Sequence, residues 1–338
     1  MTSMTNPLST LLETKAVVLA DGAMGTGLIE LGVESQAAPE MWNLAHPEQV
    51  QSVHRAFVEA GADIVLTNTF GGNRLRLAPH GLGDRVREVN VTATRLAREA
   101  VAAAGRPALV AGSIGPTGKM LRPFGDLDPE DAERIFAEQA AVLAEGGVDL
   151  IWTETFSAME ELEAALAGAA PTGLTVVATM TFDTNGYTMM GVAPEAAIAH
   201  ARTLPSPPAA FGANCGVGPA SLVDSVLGLA RGGDADDVIV AKGNCGVPQY
   251  RDGGVEYDGT PEIMADYACL ARAAGARIIG GCCGTTAIHL GAMAEALAHR
   301  PQDAAPDRAA IERRLGPVVK PSQSAGTHQK RARGRRSI

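Results

Sequence analysis

Aromatic residues make up only 4% of this 338-residue sequence, so a recognition site built of stacked rings would have few rings to draw on. No run approaches the roughly 20 uninterrupted apolar residues of a membrane span. The opening MTSMTNPLSTLLETK lacks the basic segment and apolar stretch of an export signal, and a soluble cytoplasmic protein with no membrane partner is expected. Cysteine is confined to Cys215, Cys245, Cys269, Cys282 and Cys283. An odd number in a long chain argues against a disulfide framework and for reduced thiols, and the question becomes metal binding or catalysis. The phosphate-binding turn GxGxxG is also missing. DGAMGTG follows the first strand candidate instead, which weighs against a doubly wound sheet.

What is present suits a large core: 46% of residues are hydrophobic and 20% charged. The length fits two average domains or one large α/β barrel. Short β-branched runs alternate with stretches of helical period. The strand candidates are VVLAD (17–21), DIVLTNT (63–69), ALVAGS (108–113), DLIWTET (149–155), LTVVATMTF (174–182), AAFGANC (209–215), DVIVAKGNC (237–245) and ARIIGGCC (276–283). Helix patterns such as PEQVQSVHRAFVEAGA and PEDAERIFAEQAAVLAEGGV open on Pro and acids and close on Gly, as capping and the helix dipole favour. Eight such units predict a (β/α)8 TIM barrel over residues 1–300, with its active site at the carboxyl ends of the strands. Asp21, Asn68, Thr69, Ser113, Glu154, Asn214, Cys215, Asn244, Cys245, Cys282 and Cys283 all fall at such ends. The net charge of −10 conceals an asymmetry, because residues 301–338 hold nine Lys or Arg against three acids. That segment reads as a flexible, solubilising basic tail, with binding of nucleic acid or an acidic partner as the alternative.

GGCCGTT at 280–286 is the sharpest feature. Adjacent strand residues point to opposite faces, so Cys282 and Cys283 share one metal only if the backbone leaves β geometry there, a freedom that Gly280, Gly281 and Gly284 supply. Cys215, ending FGANC, is the candidate third thiolate. Three thiolates with a fourth position open describe a catalytic Zn2+ site better than a structural one. A substrate thiol taken up there would be held as a thiolate able to attack an electrophilic methyl carbon. The plainer reading makes Cys282 and Cys283 buried small hydrophobes or an occasional vicinal disulfide. Cys269 reads as core. Cys245 stays open as a fourth thiol, an inhibitory ligand or a small side chain. Asp21 and Glu154 are candidates for binding an ammonium group, and amides around Gly22 for its carboxylate. Alternatively, Asp21 caps the next helix and Glu154 pairs with a barrel cation. Trp42 and Phe70 could face a cationic donor or pack ordinarily.

Together DGAMGT, the NTF of 68–70, GPTG at 115–118, Glu154, GANC and GGCC resemble the homocysteine S-methyltransferase family, over roughly residues 15–300. The resemblance implies a (β/α)8 barrel with Cys215, Cys282 and Cys283 as catalytic zinc ligands. It implies Asp21, Gly22, Glu154, Asn214, Trp42 and Phe70 around homocysteine and a small methyl donor, with methionine as product. EMWN and NTFGGNRLRL are most similar to the bacterial betaine-type branch, making betaine the first donor, ahead of S-methylmethionine, another onium compound or methylcobalamin. Gly71 and Thr155 stand where animal betaine enzymes carry aromatic residues. One alternative is the homocysteine half of a split cobalamin-dependent methionine synthase docking a separate corrinoid protein. The other is a non-catalytic zinc or redox-sensing barrel. Homo-oligomers are common among such barrels.

Overall fold

A computed structural model describes residues 6–32, 38–251 and 254–318. Eight parallel strands form one sheet: β1 (Val18–Leu19), β2 (Ile64–Leu66), β3 (Leu109–Ile114), β4 (Leu150–Phe156), β5 (Val176–Met180), β6 (Ala210–Cys215), β7 (Ile239–Gly243) and β10 (Ala276–Gly281). A two-stranded antiparallel hairpin, β8 (Pro248–Arg251) with β9 (Gly254–Tyr257), is inserted between β7 and β10. The sheet runs β1-β10-β7-β6-β5-β4-β3-β2, and a parallel bridge between Ala20 and Ile64 brings its two edges together. This is the expected (β/α)8 barrel.

Period-two alternation sorts the strand side chains into two cores. Val18, Ile64, Leu66, Leu150, Trp152, Val177, Val240 and Ile278 point inward and pack together with Leu8 of the helix Pro7–Thr14. Val65, Ile151, Ala241 and Ile279 point outward into the helical layer. The helix Pro129–Gly146 opens with Pro, Glu130 and Asp131 and stops at Gly147, whose φ of 88° is the left-handed conformation that favours glycine.

The segment after residue 300 departs from a flexible tail in its first part. Arg308–Leu315 is a helix capped by Asp307, its Ile311 fully buried and its Arg314 bonded to Asp266 at 2.7 Å. One buried apolar residue and the Arg314–Asp266 ion pair dock a segment whose average composition looks solvated. The RARGRR stretch lies outside the described residues. No helix among the described residues is long and apolar enough to cross a membrane.

Candidate metal centre and substrate cavity

β6 ends on Cys215 and β10 on Gly281, and at both places the backbone leaves the sheet. Cys215 has a φ of 61°, and beyond Cys283 the chain turns through Gly284 at 79°. Backbone bonds tie the turn to the end of β7: Cys282 N–H donates to Gly243 O (2.7 Å) and Cys245 N–H to Cys283 O (2.8 Å). Beneath it, the buried Tyr267 hydroxyl accepts from Gly243 N–H at 2.9 Å and donates to Gly280 O at 3.3 Å. Adjacent cysteines thereby come to one place: the sulfurs of Cys215, Cys282 and Cys283 all lie within 4.8 Å of one another. That separation suits tetrahedral sulfur coordination with bonds of about 2.3 Å.

Two amides serve the sulfurs. Asn244 Nδ2 lies 3.6 Å from Cys215 Sγ and bonds Gly216 O at 2.6 Å; Asn214 Nδ2 lies 3.9 Å from Cys282 Sγ. Such donors favour thiolates and fix the ligands in place. Contact with the Cys215 sulfur and burial hold the Cys282 thiol above its ordinary range, so three bare thiolates would repel one another here and a cation would relieve them. Asn214 also accepts from Thr155 N–H (2.8 Å) and donates to its hydroxyl (2.7 Å). This holds Thr155 at a φ of 65°, a costly conformation for a β-branched residue.

The remaining two cysteines are elsewhere. Cys245 is buried, its sulfur turned to Gly259 O at 3.4 Å, and it is outside the three-sulfur group. Cys269 packs in a small core cluster with Ala265 and Ala296.

A cavity of about 700 Å³ opens over the thiols and is lined by Asp21, Gly22, Glu154, Phe70 and all three cysteines. This is the size range of small-molecule sites. Its floor is charged. Lys242 bonds Asp21 Oδ1 at 2.6 Å with both side chains 2% exposed, and Asp21 Oδ2 accepts from Leu66 N–H at 2.8 Å. Glu154 accepts from the Ser113 hydroxyl at 2.6 Å. Burial pushes the carboxyls of Asp21 and Glu154 up, against the pull of the Lys242 ammonium. The buried carboxylate of Asp21 and the half-buried one of Glu154 thus share one buried cation, a deficit of one positive charge. Gly22 is fixed by close approach: a Cβ there would lie 2.5 Å from Thr285 O and 2.6 Å from the Phe57 ring.

Of the expected site residues, Asn214 is fully buried behind the thiols and does not line the cavity, and Trp42 stands apart from the site. It stacks on His46, ring centroids 4.3 Å apart, packs against the helical core and is not among the cavity-lining residues. Lys242 and Glu40 were not anticipated. Lys242 keeps the inward phase of β7, two residues beyond Val240, as Glu154 does beyond Trp152 in β4. Glu40 lines the cavity 4% exposed and accepts from Gly71 N–H; the nearest signal was its place beside Trp42 in EMWN.

A family model described as homocysteine S-methyltransferase matches residues 18–297. The homocysteine methyltransferase MmuM from Escherichia coli, in its metallated form, superimposes with a TM-score of 0.73 at 26% identity, covering 86% of this chain and 99% of that one. Its oxidised form gives 0.72 at 25% identity, covering 85% and 98%. A methionine synthase of Mycobacterium tuberculosis is 32% identical over 299 residues, which is 84% of this chain and 25% of the relative. The methionine synthase of Mycobacterium leprae matches in the same way, at 32% over 306 residues. The chain therefore spans about a quarter of the length of these curated relatives.

Proposed function

This chain belongs to the homocysteine S-methyltransferase family, and from that premise we propose that it moves a methyl group from a small onium donor, betaine first, to the thiol of homocysteine. The observation that carries the reading is the three-sulfur group at the floor of the cavity. Its donor set, all thiolates with a substrate-sized space above, fits Zn2+. When bound, zinc supplies the Lewis acidity that keeps a thiol ionised near neutral pH.

The chain's own residues do the rest. Asp21 and Glu154, short of one positive charge between them and Lys242, take the α-ammonium of homocysteine, while amides of the turn at Gly22 face its carboxylate. Asn214 and Asn244 keep the cysteine sulfurs in place, and Phe70 offers a ring face to the donor's cation. In the transfer the bond from methyl carbon to the onium atom breaks, its electron pair staying on the donor, which becomes a neutral amine or thioether. The homocysteine sulfur, its proton already released to solvent, forms the new S–CH3 bond of methionine. Holding both reactants in line supplies the proximity part of the rate.

Replacing Cys282 with Ala is expected to remove both bound zinc and methionine formation from betaine, S-methylmethionine and dimethylsulfonium donors. A zinc-free variant that remains active would overturn the reading. The 32% identity to a methionine synthase favours one second reading, in which this barrel accepts its methyl group from a separate corrinoid protein. Methionine made from betaine with no corrinoid protein present excludes that requirement. A four-thiol storage or sensing site is disfavoured because Cys245 is turned to Gly259.

A further inference from the structure

Two of the three sulfurs have amide donors from the barrel itself, Cys215 from Asn244 and Cys282 from Asn214. The third is served from the inserted hairpin. Tyr257 ends β9, is half-buried against the helical core, and its hydroxyl donates to the Cys283 sulfur. Each sulfur thereby meets a neutral donor, and the donors come from the end of β6, the loop after β7 and the hairpin.

The Tyr257 ring reaches the thiols because Gly284, the residue after Cys283, leaves it room. A Cβ there would lie 2.5 Å from both Cβ and Cγ of Tyr257. The hairpin is also tied down at its base. Gly259 N–H donates to Cys245 O at 3.1 Å, and the Cys245 thiol donates to Gly259 O at 3.4 Å. A Cβ on Gly259, 2.7 Å from the Cys245 sulfur, would block that closure. The Asp258 carboxylate accepts from Val247 N–H at 3.2 Å and from Gln249 Nε2 at 2.8 Å. Since Cys245 N–H donates to Cys283 O, Cys245 clasps the hairpin to the turn that carries the thiol.

We propose that Tyr257 is a positioning residue for the metal centre, carried by the inserted hairpin to give the Cys283 thiolate the donor that the barrel strands give the other two. The inference rests on the three-cysteine zinc reading above and extends it to residues which that reading does not use. A donor on a ligating sulfur fixes its orientation and tunes its charge, and loss of such an outer partner costs about 10–100-fold in metal affinity or activity. Hydrogen bonding to the ionised form favours it, and a neutral hydroxyl does this without adding a fixed charge to the site.

Tyr257→Phe keeps the ring over Gly284 and removes only the hydroxyl. Metal binding to the full chain is measured with Zn2+ in competition with a chromophoric chelator, and with Co2+ through the sulfur-to-cobalt charge-transfer bands. The Phe variant should match the wild type in Tm, yet bind Zn2+ about tenfold or more weakly and show shifted charge-transfer bands. Tyr187→Phe, at an exposed tyrosine after β5, should change neither. Tyr257→Ala should repeat the metal effect and lower Tm as well. Unchanged Zn2+ affinity and an unchanged cobalt spectrum in Tyr257→Phe would overturn the inference while leaving the methyltransferase reading intact. A wild type that binds neither ion would overturn both. Because neither measurement involves methyl transfer, a chain that binds metal and makes no methionine fails the reaction and not the inference.

Discussion

Lys242 holds the floor of the cavity together electrostatically, and its loss should be felt as stability before it is felt as chemistry. Replacing it with Met removes the one cation that Asp21 and Glu154 share, leaving the buried Asp21 and the half-buried Glu154 uncompensated. Breaking a buried pair in this way costs about 3–5 kcal/mol. Urea unfolding should show that loss for Lys242→Met, and Asp21→Asn in the same chain should restore much of it. A Lys242→Met protein as stable as the wild type would show that the pair contributes nothing net. The thiols, Asp21 and Glu154 were legible in the sequence because each ends a strand in a recognisable local setting. Lys242 was not, since AKGN resembles an ordinary strand end until the inward phase of β7 is known. Glu40 depends on contacts with Gly71, thirty-one positions away in sequence, which no local pattern encodes.

At the level of elements, the eight strand candidates all became strands, but mostly shorter than their apolar runs, because the ends turn away to form the cavity rim. β1 keeps only Val18 and Leu19; past its end the Asp21 backbone still donates to Ile64 O and accepts from Gly281 N–H, while its carboxylate accepts from Leu66 N–H. The β8–β9 hairpin went unread although QYRDGGVEY carries the DG and GG turn residues of a hairpin signature. The helix Pro47–Glu59 was legible, and it hides a titrating group. His54 is fully buried on its inner face with neither ring nitrogen hydrogen bonded among the described residues, and burial lowers its pKa from 6.5 to about 4. The unfolded chain therefore binds the proton more tightly. The stability this contributes is complete above pH 6.5 and is lost as pH falls towards 4, amounting to about 3 kcal/mol. His54→Leu should flatten that part of the acid limb when denaturant midpoints are followed from pH 7 to pH 4. An unchanged slope would mean that His54 is protonated within the fold.

On the scale of the whole molecule, closing the barrel gives thiols from β6 and from the turn after β10, with a carboxylate from β4 and a cation from β7, one shared end. The (β/α)8 class was readable because eight similar units leave few ways to arrange a parallel sheet. The depth and charge order of the cavity were not, since they arise only when strands distant in sequence meet. The same closure makes the site a reporter of its ligands. If zinc and homocysteine bind at the floor as proposed, homocysteine binds the folded chain and not the unfolded one. Homocysteine at about 100 times its Kd should then add about 2.7 kcal/mol of stability, read as a rise of a few degrees in Tm. Removing the metal with a chelator should abolish most of that rise, because the ammonium contacts at Asp21 and Glu154 would act without the sulfur anchor. Restoring zinc should bring it back. An equal rise in metal-free protein would place the binding energy in the carboxylates alone and remove the three cysteines from substrate recognition.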